Sequence, residues 1–212
     1  MDVIGKIEIR LPSAFSGSLL GVFGHGVLFP CGAGETVQSV LRNRLRLDAG
    51  YIEQRIRTVF VNGSPVDELE QAVLGDGDEL ALAGALPGLV GICMGRCSPV
   101  AGFRQGITYA AGEEERSAGL IRLKLFNTVA VEIGRRVLEQ GVLLDLQKIL
   151  RMLSTIGSDR RLSDTPQGSD WECVCFDDNR DEVVSVQEAA KRLEDLPATK
   201  DQGMWVVVRS VM

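Results

Sequence analysis

The chain has 212 residues, of which 45% are apolar and 25% charged, and its net charge at pH 7 is −6. This composition is typical of a globular protein with one or two domains, and it excludes general disorder. The acidic balance, without any cluster of basic residues, disfavours nucleic-acid binding, whose affinity comes largely from lysine and arginine against phosphates.

The apolar runs and the cysteines bear on the cellular compartment. The run at 14–29, AFSGSLLGVFGHGVLF, is similar to an export signal, but it contains a histidine and four glycines. No stretch reaches the roughly 18 uninterrupted apolar residues of a membrane span, so we expect no membrane association. Five cysteines are an odd number in a chain too large to need disulfide bonds. We therefore expect a cytoplasmic protein.

Two strands and a helix are predicted at the start of the chain. KIEIRL at 6–11 alternates apolar and charged residues, which is typical of a half-buried strand, and GVLFP at 26–30 is a second strand candidate. A helix is expected to begin after Thr36, whose hydroxyl can accept a hydrogen bond from an unpaired amide of the first turn. The apolar face of this helix comprises Val37, Val40, Leu41 and Leu45.

Turn residues punctuate the next part of the chain. IRTVFV at 56–61 predicts a strand that ends at Asn62-Gly63, a dipeptide that tolerates the positive φ of a tight turn. DELEQAVL at 67–74 predicts a short helix, and the turn GDGD leads into a strand, ELALAG, at 79–84. The expected order of the first half is strand, strand, helix, strand, short helix, strand.

The second half of the chain repeats much of the first. The echoes are IRLKLF at 121–126 with IEIRLP at 7–12, EQGVLL at 139–144 with GHGVLF at 24–29, and CVCFDD at 173–178 with TVFVNG at 58–63. The offset stays near 115 residues in all three pairs, which indicates an internal duplication. We expect two modules, 1–91 and 120–212, each with a hairpin, a helix and returning strands, joined by a strap and linker at 92–119.

Two more helices and a final strand are predicted in the second copy. LDLQKILRMLSTI at 144–156 carries apolar residues at helical spacing. SVQEAAKRLEDL at 185–196 opens with a capping box from Ser185 to Glu188 and stops before Pro197. MWVVVRSV at 204–211 is the last strand.

Three segments of the first half carry a family resemblance. TVQSVLRNRL at 36–45, VFVNGSPVDE at 59–68 and LGDGDELALAGALPG at 74–88 resemble the ThiS/MoaD sulfur-carrier branch of the ubiquitin-like β-grasp superfamily. With the duplication, the resemblance implies an α+β fold of tandem β-grasp modules, each a mixed sheet packed on a helix.

The activity of that family depends on a free C-terminal Gly-Gly, whose carboxylate is adenylated and converted to a thiocarboxylate. The matching place here is Gly88, Leu89, Val90 and Gly91, which lacks Gly-Gly and is followed by 121 residues. Carriage of sulfur for cofactor biosynthesis would require cleavage after Gly91. We keep it as an alternative, because fold does not imply function.

Four cysteines are weak candidates for a metal site. Cys93 and Cys97 lie in a glycine-containing loop, whereas Cys173 and Cys175 lie two apart on a predicted strand. Their spacing does not match the usual zinc motifs, and free cysteine commonly packs in a core. A cysteine-ligated metal module is a second alternative, and we expect no cofactor.

The segment 88–109 overlaps the expected connection at 92–119 and is apolar and rich in glycine. From here on, the name strap refers to residues 88–109. The strap is expected to form an ordered connection or an extra strand, or else a surface that binds a protein partner or another subunit. The candidate contact residues are Gly88, Leu89, Val90, Gly91, Arg96 and Arg104. The only histidine, His25, lies between two glycines and is predicted to mark a bend rather than a catalytic base. The sequence therefore predicts a non-catalytic binding or assembly protein, whose partner is another protein or, in a homo-oligomer, a further copy of the chain.

Overall fold

The structure is a computed structural model, and it describes residues 1–12, 19–110, 116–158, 172–177, 180–196 and 202–211. The chain divides into two compact units. The continuous unit comprises residues 23–134, and the split unit comprises residues 1–22 and 135–212. Each unit contains helices and a mixed sheet, so the expectation of an α+β class is confirmed.

The continuous unit contains seven described strands. They are β2 (Val27–Cys31), β3 (Glu35–Thr36), β4 (Thr58–Val61), β5 (Ser64–Pro65), β6 (Val73–Leu74), β7 (Glu79–Ala83) and β8 (Gly119–Leu125). Five of them form a sheet in the order β2-β8-β7-β4-β5, in which β8 and β7 are parallel and the other neighbours are antiparallel. The remaining two, β3 and β6, form a separate antiparallel pair.

The split unit is built around the N-terminal strand. Its strands are β1 (Asp2–Pro12), β9 (Val142–Asp145), β10 (Glu172–Asp177), β11 (Arg180–Val184) and β12 (Gln202–Val211). They follow the order β9-β12-β1-β10-β11, in which β12 and β1 are parallel and the other neighbours are antiparallel. This sequence of pairings is the same as in the continuous unit. The echoed strands β2 and β9 stand first in their orders, and β4 and β10 stand fourth.

The position of β1 corrects the expected hairpin. Instead of pairing with β2, β1 pairs with β12 on one side and β10 on the other. The connection at 13–26 has 14 residues, whereas tight hairpins use two to five, so it does not hold β1 beside β2. The division therefore differs from the expected boundaries of 1–91, 92–119 and 120–212, because the first strand belongs with residues of the second half.

The helices include both expected and unexpected segments. They are α1 (Val37–Ser39, continued by the π-helical Val40–Arg44), α2 (Ala49–Gln54), α3 (Gly88–Met94), α4 (Asn127–Gln140), α5 (Leu146–Ser158), α6 (Val186–Glu194) and the 3₁₀ helices Leu20–Gly24 and Ala101–Ile107. The expected caps are confirmed: the Thr36 hydroxyl accepts from the Ser39 N–H at 3.2 Å, and the Ser185 hydroxyl accepts from the Glu188 N–H at 3.1 Å. The predicted apolar face of α1 is fully buried. Within the described residues, no helix has the length and apolar character needed to cross a bilayer.

The prediction of a short helix at 67–74 is wrong. Only one turn forms there, with the Gln71 and Ala72 N–H groups donating to the Glu68 carbonyl, before β6 begins. The carbonyls of Leu69 and Ala72 instead accept from the first amides of α1, at 3.0 and 2.8 Å. These carbonyls thus cap the N-terminus of α1, where the first amides lack acceptors within the helix.

Candidate functional site

Two turns carry the family resemblance, Asn62-Gly63 and GDGD at 75–78, and in the continuous unit they are hydrogen-bonded to each other. Asn62, at φ 51°, donates from Nδ2 to Asp78 Oδ1 at 2.7 Å and accepts from the Glu79 N–H at 2.8 Å. The buried Asp78 carboxylate also accepts from the Gly75 N–H at 2.9 Å and from Arg116 Nη1 at 3.1 Å. A buried carboxylate needs such partners, so the two motifs depend on each other structurally.

The same acidic turn holds the start of β8. Asp76 Oδ1 accepts from the Leu120 N–H at 2.8 Å, and the Gly77 N–H donates to the Leu120 carbonyl at 3.0 Å. A Cβ at Gly119 would overlap the Asp76 side chain, so this position has room only for glycine. The turn therefore positions an incoming strand, which accounts for its acidic residues without a bound cation.

The strap begins with a helix where the resemblance placed a carrier tail. Gly88 opens α3 with φ 78°, a conformation that favours glycine. Gly91 is buried, and a Cβ there would overlap the Leu86 backbone. Because successive residues turn by about 100°, Leu89, Val90 and Ile92 lie on the side of α3 opposite Gly91. Cleavage after Gly91 would fall inside this helix.

Arg104 is the internal anchor of the strap. Its side chain is 1% exposed and pairs with Asp67 at 2.7 Å. The guanidinium also donates to the carbonyls of Cys93 at 2.7 Å and Gly95 at 3.2 Å, and to the Thr108 hydroxyl at 3.1 Å. These bonds tie the end of α3 to the 3₁₀ helix Ala101–Ile107, against which α3 packs.

Arg96 attaches the strap to the end of α2. Its N–H donates to the Arg57 carbonyl at 2.7 Å, and its Nη1 donates to the carbonyls of Ile52 at 3.2 Å and Ile56 at 3.1 Å. A cation is favourable here because carbonyls at a helix C-terminus carry partial negative charge. Thus the two arginines that the sequence offered as contact residues hold the strap in place within the protein.

The strap exposes five large apolar side chains. The exposed fractions are 76% for Leu89, 70% for Val90, 54% for Ile92, 88% for Phe103 and 52% for Ile107. We call these five side chains the strap patch. Leu89 and Val90 belong to the predicted contact set, and Gly88 and Gly91 shape the helix that carries them.

Comparisons of the chain with family models, with curated proteins and with solved structures found no match. The site is therefore interpreted from its own chemistry. Ile92, Phe103 and Ile107 were absent from the predicted contact set. A sequence signal for two of them exists, since Phe103 and Ile107 are apolar residues four apart, each preceded by glycine.

The cysteines do not assemble into a described metal site. Cys93 is half-buried, with its thiol 3.5 Å from the Val100 carbonyl, and Cys97 is exposed; both belong to the continuous unit. Cys173 and Cys175 lie on β10 of the split unit, with side chains outside the described set. Among the described side chains, no group of three or more histidine, cysteine or acidic residues could hold a metal ion.

A polar cleft of about 260 Å³ adjoins the end of the strap. Its lining comprises Val66, Asp67, Glu68, Gln71, Thr108 and Tyr109. Several of its polar groups already bond within the protein: Asp67 and Thr108 bind Arg104, and the Tyr109 hydroxyl donates to the Val73 carbonyl at 3.2 Å. The strap patch, whose apolar side chains are exposed among the described residues, is the stronger candidate site.

Proposed function

We propose that this chain is a non-catalytic binding or assembly protein that docks a protein partner through the strap patch. The observation that carries the proposal is the concentration of five exposed apolar side chains within 19 residues. Single exposed apolar residues are normal on a soluble protein, whereas clustered ones are typical of interaction surfaces. Phe103 is the largest of the five and the most exposed, and it fits the role of an aromatic anchor.

The attachment of the strap supports a docking role. Arg96 and Arg104 bond the strap to the rest of the continuous unit, and the Tyr109 N–H donates to the Pro65 carbonyl at 2.9 Å. Residues held in place before binding lose less conformational entropy when a partner arrives. A strap that is held in place and exposes apolar side chains therefore loses less conformational entropy on binding than a flexible linker does.

We also propose that the two units are tandem β-grasp modules. Three observations support this: the shared pairing pattern of five strands, the equivalent places of two of the three echoed strand pairs, and the matching glycines before β2 and β9. Gly26 and Gly141 both have positive φ, at 82° and 97°, and they are 115 residues apart. Nuclear Overhauser contacts between β1 and β12 would test the pairing pattern on which this proposal rests; a β1–β2 hairpin in solution would contradict that pattern.

Site-specific photo-crosslinking in the native cell tests the docking role. A benzophenone amino acid replaces Val90 in one variant and Phe103 in another, and Val131 of α4 in the control. Val90 and Val131 are both 70% exposed valines, but only Val90 belongs to the strap patch. We expect discrete protein adducts from the two patch positions and none from the control.

The pattern of adducts decides the outcome. Adducts of the same mass at the control position would mean collision rather than docking. Absence of adducts at both patch positions would refute the proposed function. Purified variants with unchanged thermal unfolding serve as the check on folding.

A further inference from the structure

We propose that the partner seated on the strap patch is a second copy of this chain, in a symmetric dimer. This inference rests on the proposed function and names the occupant of the same surface. It is argued from the charge of the strap and from the area that the patch exposes.

The strap offers no charge to a charged partner. Residues 80–112 contain no aspartate or glutamate, although the whole chain has 29 acidic residues. The only charged side chains in this stretch are Arg96 and Arg104, which donate to carbonyls and to Asp67. The strap patch itself therefore complements an apolar, uncharged surface better than a charged one.

A second copy meets that requirement. In a twofold dimer the same patch contacts itself, so an apolar surface necessarily faces an apolar surface. The charge of −6 on each copy opposes association in general, but at physiological salt it is screened beyond about 8 Å. The strap itself adds no acidic side chain to that repulsion.

The exposed area also fits a dimer. With side chains of about 130 to 190 Å² each, the exposed fractions give the strap patch roughly 500 Å² of apolar surface. A stable interface buries about 800 Å² per partner, and the apolar share in homodimers is about 65%. The patch therefore supplies about the apolar area that one side of a homodimer needs.

A lipid surface is the other apolar occupant to consider. Interfacial helices that bind membranes normally carry lysine or arginine on their polar face, which attracts anionic lipids. The strap has no lysine, and Arg96 and Arg104 are bonded within the protein. These features favour a protein surface over a bilayer.

Sedimentation velocity on the full chain, up to about 200 µM, tests for the dimer across the micromolar range of dissociation constants. The variants are Val90→Asp and Phe103→Asp in the patch, and Val131→Asp as the control with the same residue type and exposure as Val90. We expect the wild-type chain and the control to dimerise. The patch variants should raise the dissociation constant at least thirty-fold, because each dimer buries two new carboxylates.

Milder variants guard against misfolding. If a patch variant loses its thermal transition, Val90→Ser and Phe103→Ser replace it. A second readout is the alkylation rate of Cys97, which lies on the strap and is exposed in one copy. Dimerisation at the strap should slow this alkylation as protein concentration rises, and peptide mass mapping identifies the modified thiol.

The remaining outcomes separate the occupants. A wild-type chain that stays monomeric at every protein concentration tested overturns the dimer. The proposed function is decided separately, by the photo-crosslinked adducts from cells. Equal weakening by Val90→Asp and Val131→Asp would place the interface elsewhere and also overturn the inference. A monomer that binds phosphatidylcholine vesicles through Val90 and Phe103 would identify a lipid occupant instead.

Discussion

Replacement of Arg104 by methionine should release the strap from the continuous unit. Arg104 is buried, and its guanidinium makes four hydrogen bonds, to Asp67, two carbonyls and Thr108. Methionine keeps most of the apolar stem but removes every donor. Asp67 then loses its cation, and the carbonyls at the end of α3 lose their partner.

The magnitude follows from the burial of the ion pair. Breaking a buried pair by removing one partner costs about 3 to 5 kcal/mol. The Asp67 side chain is 29% exposed, so water recovers part of its hydration, and we place the cost near the lower limit, at about 3 kcal/mol. If the strap opens locally, amide exchange in residues 88–109 should accelerate by about 100-fold.

Hydrogen exchange by mass spectrometry is the appropriate assay. A chain with two units need not unfold in a single transition, so a local readout is more informative than one overall free energy of unfolding. Arg42→Met, at an exposed position of α1, is the control and should leave exchange in the strap unchanged. If exchange at 88–109 in Arg104→Met stays within three-fold of this control, Arg104 is not the anchor of the strap.

Three further predictions concern the continuous unit. Gly91→Ala should lower the Tm by about 5 °C because its Cβ would overlap backbone, whereas Gly102→Ala, with open space around it, should change the Tm little; equal effects would contradict the packing of α3. Burial would raise the pKa of the Glu35 carboxyl, but hydrogen bonds from a backbone N–H and a guanidinium outweigh it and hold the pKa below its ordinary value. Glu35→Gln should therefore reduce the free energy of unfolding at pH 7, with a deficit that shrinks in urea titrations as the pH falls below about 4; a deficit independent of pH would refute this. Burial raises the pKa of the Cys31 thiol to about 11, so at about pH 8 an alkylating reagent should modify Cys97 well before Cys31, as peptide mapping would show.

The local elements of the fold could be predicted because their signals are local. The caps at Thr36 and Ser185 both form as expected, since each depends on residues within one helical turn. The repeat was also informative: β10 takes the place in its sheet that β4 takes in its own. These features need no knowledge of which distant segments meet.

Other elements were missed for identifiable reasons. Helix α4 was not predicted, although Val129, Ile133 and Val137 recur at helical spacing and are all buried. The partners of β1 could not be read from the sequence, because its alternating pattern specifies a buried face but not the neighbouring strands. Sequence reasoning assigned β1 to the nearest strand, whereas its neighbours lie more than 150 residues away along the chain.

The candidate site was located in the sequence, but the roles of its residues were not. An apolar strap with two arginines indicated a partner-binding surface, with both arginines among its contact residues. In the structure, Arg104 is neutralised by Asp67, and Arg96 serves the carbonyls at the end of α2. A single sequence does not show which distant carboxylate or carbonyl an arginine meets, so it does not distinguish an internal anchor from a contact residue.

β1 and β8 belong to different units although their buried faces carry the same pattern. Their buried side chains match at an offset of 114 residues: Ile7, Ile9 and Leu11 in β1, and Ile121, Leu123 and Leu125 in β8. The apolar pattern alone therefore does not distinguish the two strands. On the outward side, Glu8 lies 3.7 Å from Arg209, whereas Lys124 pairs with Glu79 at 2.8 Å and Arg122 is in register with Glu79. In the place of β8, β1 would set Glu8 at the position of Arg122, beside Glu79, and like charges on adjacent strands are destabilising. Two strands with the same apolar pattern thus differ in the charges on their exposed faces, and in the place of β8 the Glu8 carboxylate of β1 would lie beside Glu79.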